Sequence, residues 1–235
     1  MDYPVEKEYY EVRKPELLNR FDEESRYWEP VIVSRFGKEF ADTILREAHK
    51  EFQALIPQMP YIGGDENHLT ESLIGSVRYL AFYKAMKKHG KTAEETGKVL
   101  YDAILARIDE PPAPIPPSKM LTTEQLMERR RKRAERSQER RYPQDYVYKF
   151  VAGDGEEFDY GYDFSECAAQ KFYHAQDADE FMPFYCYLDF PGSRVDGSGL
   201  SRTMTLAEGH EKCNHRFKKG REAELKWPPP FLKGE

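Results

Sequence analysis

Between Tyr160 and Phe217 the chain reads GYDFSEC (161–167), FYCYLDF (184–190) and LSRTMTLAEGHEKCNHRF (200–217). Phe158 to Tyr162 alternates apolar and polar residues, the period of a half-buried strand. Ser165 is the residue type that caps a helix, which the pattern carries to about Gln176. Asp177 or Asp179 can start a second, short helix through Phe181 and Phe184. Leu200–Leu206 and Lys212–Phe217 then read as a strand pair around the Glu208–Gly209 turn.

The same stretch holds all three cysteines, Cys167, Cys186 and Cys213. Each stands near a charge: Glu166 beside Cys167, Asp189 three residues after Cys186, and His215 and Arg216 just after Cys213. Thiols gathered in this way mark the region as the place to look for chemistry.

Immediately upstream, Tyr146–Ala152 (YVYKFVA) has strand composition and Gly153–Asp154–Gly155 a turn. Further back the period becomes helical. Phe36, Phe40, Ile44, Ala48, Phe52 and Leu55 form one apolar stripe that Pro57 and Pro60 end. Tyr61–Asp65 is a glycine-containing loop. Leu69, Leu73, Val77, Leu80 and Ala81 mark a second helix, stopped at His89–Gly90. Thr92 and Glu95 predict a capping box for a third, carrying Val99, Leu100, Ala103, Ile104 and Ile108. Residues 1–29 show no clear period and read as an arm that packs by its tyrosines and Trp28.

The expected fold class is therefore α+β: N-terminal helices followed by a small, mostly antiparallel sheet with helices. The expected organisation is one compact domain overall. Within it are an arm (1–29), a helical part (30–108), a proline-rich and basic connector (109–143), an α+β part (144–218) and a tail (219–235). Residues 109–118 read as extended. Residues 127–141 hold eight Arg or Lys and three Glu. With no aromatic residues interleaved as stacking platforms, that run reads as a solvated helix peripheral to the core.

Composition excludes several classes. Of 235 residues, 36 are Lys or Arg and 42 Asp or Glu, a formal charge of −6, which argues against a nucleic-acid binder. No apolar run is long enough to span a bilayer, so no membrane partner is expected. The charged N-terminus lacks the apolar centre of a signal peptide, which points to a reducing cytoplasm. An odd cysteine count argues against a disulfide framework. Hydrolase elbows, phosphate loops and dinucleotide fingerprints are absent, and no cofactor is implied. Oligomeric state is not legible.

Gly161–Tyr162 with Glu166–Cys167, Cys186 with Leu188–Asp189, Arg202–Thr203 with Thr205–Ala207 and Gly209, and Cys213 with Arg216–Phe217 form a spaced set. Together with an upstream block at Pro60, Ile62–Gly64 and Asn67, this set resembles the L-2-amino-thiazoline-4-carboxylic acid hydrolase family. The resemblance implies ring-opening hydrolysis of a cyclic amidine-like C–N bond, giving a carbamoylated cysteine. One departure stands out: where the family tends to read Cys-Asp-Phe-Arg-Phe, this chain reads Cys213-Asn214-His215-Arg216-Phe217. An asparagine cannot serve as a base.

Ring opening needs a nucleophile, a group that holds developing charge, and an acid for the leaving atom. The catalytic candidates are Cys167, Cys186, Asp189, Cys213 and His215. Cys167 is best placed by sequence, in the first turn after the Ser165 cap, where a thiolate is favoured. Cys186 and Asp189, three apart, would share a helix face. Arg202 and Arg216 are the candidate forks for a small-molecule carboxylate substrate, with Glu166 and Asn67 as further substrate-contacting candidates. Two alternatives stay open. The protein binds a small molecule without turnover, as a sensor or accessory subunit, or Cys167, Cys186, Cys213 and His215 hold a metal. The intervals of 19 and 27 residues between the cysteines lack the close pairs of a zinc site, so no metal ligand is assigned.

Overall fold

The computed structural model describes residues 4–110 and 121–233. In chain order, helices α1 (Pro4–Val12), α2 (Lys14–Phe36), α3 (Lys38–Leu55), α4 (Thr70–Lys88), α5 (Ala93–Leu105) and α6 (Thr123–Ser137) precede strands β1 (Val147–Ala152) and β2 (Tyr160–Glu166). Helices α7 (Ala168–Ala175), α8 (Met182–Tyr187) and α9 (Asp189–Asp196) follow, then strands β3 (Leu200–Ser201) and β4 (Cys213–Phe217). The α+β class expected from the sequence is the one found. The proline-rich stretch, read as extended, lies outside the described residues from position 111 on.

Contacts divide the chain into two compact units. The first joins the chain up to Ala106 to Ala168–Leu188; the second joins Arg107–Cys167 to Asp189 and all that follows.

In the first unit α4 is the central helix. Leu73, Ile74, Val77, Leu80, Phe82 and Met86 are all fully buried, so apolar residues cover its whole circumference rather than one stripe. Helix α3 packs on α4, α2 on α3 and α5, and α7 on α4. The Thr92–Glu95 capping box forms as expected: the Glu95 amide donates to Thr92 Oγ1 at 3.1 Å and the Thr92 amide to Glu95 Oε2 at 2.9 Å.

The N-terminal region differs from its reading as a non-periodic arm, being helical from Pro4. Leu17, Phe21, Trp28 and Ile32 of α2 are buried, and Trp28 packs against Phe82 of α4 with ring centroids 4.9 Å apart. Abundant charges and an internal Pro30 hid this stripe. The single helix expected from Val31 onward is also two. Gly37, at φ +88°, a conformation closed to most side chains, ends α2 and precedes α3.

In the second unit the four strands pair antiparallel in the order β1-β2-β4-β3. Register puts Tyr162 opposite both Phe150 and His215, and Phe164 opposite both Tyr148 and Cys213. Because side chains alternate along a strand, one sheet face carries Tyr148, Tyr160, Tyr162, Phe164, Phe217, His215 and Cys213. The other carries Asp163, Asn214 and Arg216. The expected 200–206 strand is shorter than its pattern, ending at Ser201. Residues 203 and 204 give their amides to Asn214 instead.

Helix α6 is not the peripheral segment that its charge suggested. It packs on β1 and buries Ala134. Ser137 Oγ accepts the Tyr148 amide at 3.1 Å and donates to the Tyr148 carbonyl at 2.9 Å. The Arg130 guanidinium lies 3.9 Å above the Tyr160 ring and donates to its hydroxyl at 2.9 Å. Long basic side chains cover aromatic surface with their stems and planes while keeping charge in water, so a basic run docks without an apolar stripe.

Candidate functional site

Three of the sequence candidates, Asp189, Arg202 and His215, are in direct contact. Asp189 opens α9, Arg202 directly follows β3, and Cys213 and His215 lie on β4, all in the second unit. Arg202 stands at the centre. Its Nη1 donates to Asp189 Oδ2 at 2.5 Å and lies 3.1 Å from His215 Nε2, and its guanidinium sits 5.3 Å over the Phe190 ring. The Asp189 Oδ2 to His215 Nε2 separation is 3.5 Å.

Exposure is uneven: the Arg202 side chain is 4% exposed, His215 16% and Asp189 48%. Burial is still the largest influence on the Asp189 carboxyl, pushing it up. The neighbouring His215 and the Arg202 charge outweigh it and hold the group below its usual range. Burial is also the largest influence on His215, and Arg202 adds to it. Together they overcome Asp189 and keep the imidazole below its ordinary value, hence neutral near pH 7. His215 Nδ1 is buried and has no hydrogen-bond partner among the described residues. Phe164 stands edge-on to the imidazole at 5.3 Å, and Phe217 stacks at 6.3 Å.

Cys213 shares the His215 face, two residues back along β4. Its Sγ accepts the Leu206 amide at 3.2 Å, from a 3₁₀ turn (Leu206–Glu208) that Thr205 caps. Burial, the dominant influence, pushes the thiol up against the opposing pull of that amide and of Arg202. Cys213 is the buried one of the three cysteines, all present as thiols.

The remaining candidates have their own local settings. Cys167 does not lie in a first helical turn behind a Ser165 cap. Strand β2 runs on to Glu166, and Ser165 Oγ donates to the Val147 carbonyl at 3.3 Å. Cys186 lies on α8, in the first unit, so it and Asp189 do not share one helix. Glu166 is ion-paired with Arg140. Arg216, on the opposite sheet face, pairs with Asp163 at 2.8 Å. Asn67 ties its own loop, donating to the Ile62 carbonyl at 2.6 Å and accepting the Leu69 amide at 3.0 Å, in the first unit. No group of three or more His, Cys, Asp or Glu is arranged to hold a metal among the described residues. No helix among them is long and apolar enough to cross a membrane.

Asn214, at the family's aspartate position, also faces away from His215. Its Oδ1 accepts the amides of Thr203 at 3.0 Å and Met204 at 2.8 Å, and its Nδ2 donates to Thr203 Oγ1 at 2.9 Å. A carboxylate could accept the same two amides. The departure therefore falls on a loop anchor, one step in sequence before Arg202's partner. Sequence reasoning also missed the aromatic floor, although Tyr160, Tyr162 and Phe164 alternate visibly.

A family model described as L-2-amino-thiazoline-4-carboxylic acid hydrolase matches residues 71–217, well over half of the chain. The match takes in Asp189, Arg202, Cys213 and His215. No curated protein and no solved structure gives a significant match. The chain belongs to the L-2-amino-thiazoline-4-carboxylic acid hydrolase family.

Proposed function

We propose that the protein hydrolyses a small carboxylate-bearing heterocycle of the amino-thiazoline type, opening a cyclic amidine C–N bond at the Asp189–Arg202–His215 cluster with Cys213 as nucleophile. The observation that carries this reading is a neutral imidazole and a thiol on one strand face, with a carboxylate–guanidinium pair fixing the imidazole. Cys213 and His215 are alternate residues of one strand, which stand about 7 Å apart along it. The thiol adds to the sp² ring carbon, and its proton passes to the amidine nitrogen. The His215 imidazole supplies the second proton that the ring nitrogen takes as the C–N bond breaks. Water then adds to that carbon, returning one proton to His215 and the other to the Cys213 sulfur as that sulfur leaves. Arg202 offers charge complementary to the substrate carboxylate.

Cys213's upward shift favours a second reading, in which the site binds such a molecule without turning it over. Incubation with L-2-amino-thiazoline-4-carboxylate, following ring opening by absorbance and mass spectrometry, separates the two. The catalytic reading expects turnover that Cys213→Ala abolishes and that Cys167→Ala and Cys186→Ala leave. It expects His215→Gln to lower kcat at least about a hundredfold. Full activity in Cys213→Ala would sink the cysteine mechanism. Saturable binding without product would support the binder.

A further inference from the structure

Strands β2 and β4 set three pairs side by side on one sheet face: Tyr160 with Phe217, Tyr162 with His215, and Phe164 with Cys213. Paired residues of antiparallel strands hold their Cβ atoms about 4.5–5.5 Å apart. Tyr162 is therefore the immediate neighbour of His215, on the flank away from Asp189 and Arg202. None of Tyr160, Tyr162, Phe164, His215 and Phe217 is fully buried. Burial is still the largest influence on the Tyr162 phenol and pushes it up, so it remains a proton donor at neutral pH.

Helix α6 borders the same face on its β1 side. Arg130, Arg133 and Ser137 are spaced three and four apart, the spacing of one helix face. Arg130 is stacked on the Tyr160 ring, and Ser137 is bonded to the Tyr148 backbone. Arg133 lies between these two anchors, turned toward the sheet and partly buried. The Tyr148 and Tyr162 phenols, on rings 5.4 Å apart, both act on its charge. Arg133 has no ion-pair partner among the described residues. Arg202 differs: its Nη1 is already held by Asp189 and His215.

The order of atoms in an amino-thiazoline carboxylate fits this layout. Its reacting carbon lies between the sulfur and the ring nitrogen, and its carboxylate hangs on the carbon beyond that nitrogen. With the reacting carbon toward Cys213 and the nitrogen toward His215, the carboxylate lies past His215, where Tyr162 and Arg133 stand. We propose that Arg133 and the Tyr162 hydroxyl bind the substrate carboxylate and set the site's specificity for it. The assignment rests on the ring-opening reading and gives Arg202 the task of fixing His215. A guanidinium fork matches a carboxylate bidentately, and a phenol adds a further donor. A partly desolvated guanidinium without a counter-charge gains from an anion that supplies one.

The test titrates L-2-amino-thiazoline-4-carboxylate into the full-length protein, reading KM where turnover occurs and Kd by calorimetry where it does not. The same ring without its carboxylate is titrated in parallel. Arg133→Gln and Tyr162→Phe should each weaken the carboxylate at least about tenfold. Neither should alter affinity for the ring alone, and Arg133→Lys should recover part of the loss. Arg129→Gln removes an exposed charge from the same helix and should stay within about twofold of the native protein. Tyr162→Phe keeps its ring and carries the test if Arg133→Gln misfolds. Turnover with native affinity in both variants would overturn the anchor and leave the ring-opening reading standing. Binding without turnover in the native protein, weakened in both variants, would support the anchor and sink the catalytic reading. No binding of the carboxylate to the native protein would overturn the anchor, as would an equal loss in Arg129→Gln.

Discussion

The Arg202 guanidinium, 3.1 Å from His215 Nε2, decides which imidazole nitrogen carries the proton. A guanidinium only donates, so Nε2 accepts and the neutral ring is protonated at Nδ1. Asp189 does not compete for that role, since 3.5 Å is long for a hydrogen bond. The neutral imidazole is thereby a donor rather than a base.

A pH dependence follows. The folded His215 pKa lies below its unfolded value of 6.5. Between the two the unfolded chain binds more protons, so stability rises with pH through this window and is lost as pH falls below about 6.5. Urea midpoints across a pH series should decline toward acid in the native protein and decline less in His215→Gln. Parallel curves would contradict the neutral imidazole. Asp189, also held low, acts in the same direction over a more acid window: its stability is present above its unfolded value and is lost as pH falls below it.

The Asp189–Arg202 pair should respond asymmetrically. Removing Asp189 leaves a guanidinium 4% exposed without its counter-charge, whereas removing Arg202 leaves a carboxylate 48% exposed to water. Asp189→Asn should cost about 1–3 kcal/mol, less than a fully buried pair because one partner is half open. Arg202→Gln should cost less. Chemical denaturation of both variants checks the order.

Asn214→Asp should change stability by less than about 1 kcal/mol, because both backbone amides keep an acceptor. Asn214→Ala strands those amides and should cost about 1–3 kcal/mol. It should also loosen the turn whose Leu206 amide holds Cys213. Faster alkylation of Cys213 in Asn214→Ala than in Asn214→Asp is the expected readout.

Ser137→Ala should destabilise the second unit by about 1–3 kcal/mol, since the buried Tyr148 amide loses its acceptor. Deletion of residues 109–143 should abolish cooperative unfolding by uncovering the aromatic sheet face. A deletion variant that melts cooperatively would show that α6 is dispensable.

Local signals made part of this protein legible from its residues alone. The Thr92–Glu95 box, the His89–Gly90 stop and the strand composition of 146–152 depend on neighbours within a few positions, and a capping box, a helix end and a strand form there. The spaced motifs around the cysteines likewise pointed to the family. Other features depended on what a segment packs against. The helicity of 14–36 rests on Leu17, Phe21, Trp28 and Ile32 meeting a core that charge counts do not reveal. The docking of α6 rests on arginines finding tyrosine rings. The cluster itself is a tertiary product. Asp189, Arg202 and His215 come from a helix start, a loop and a strand. Strand alternation then sends His215 to the cluster, while its neighbours Asn214 and Arg216 face the other way. Sequence lists the ionisable groups, but pairing register and burial decide which of them meet and which proton each one holds.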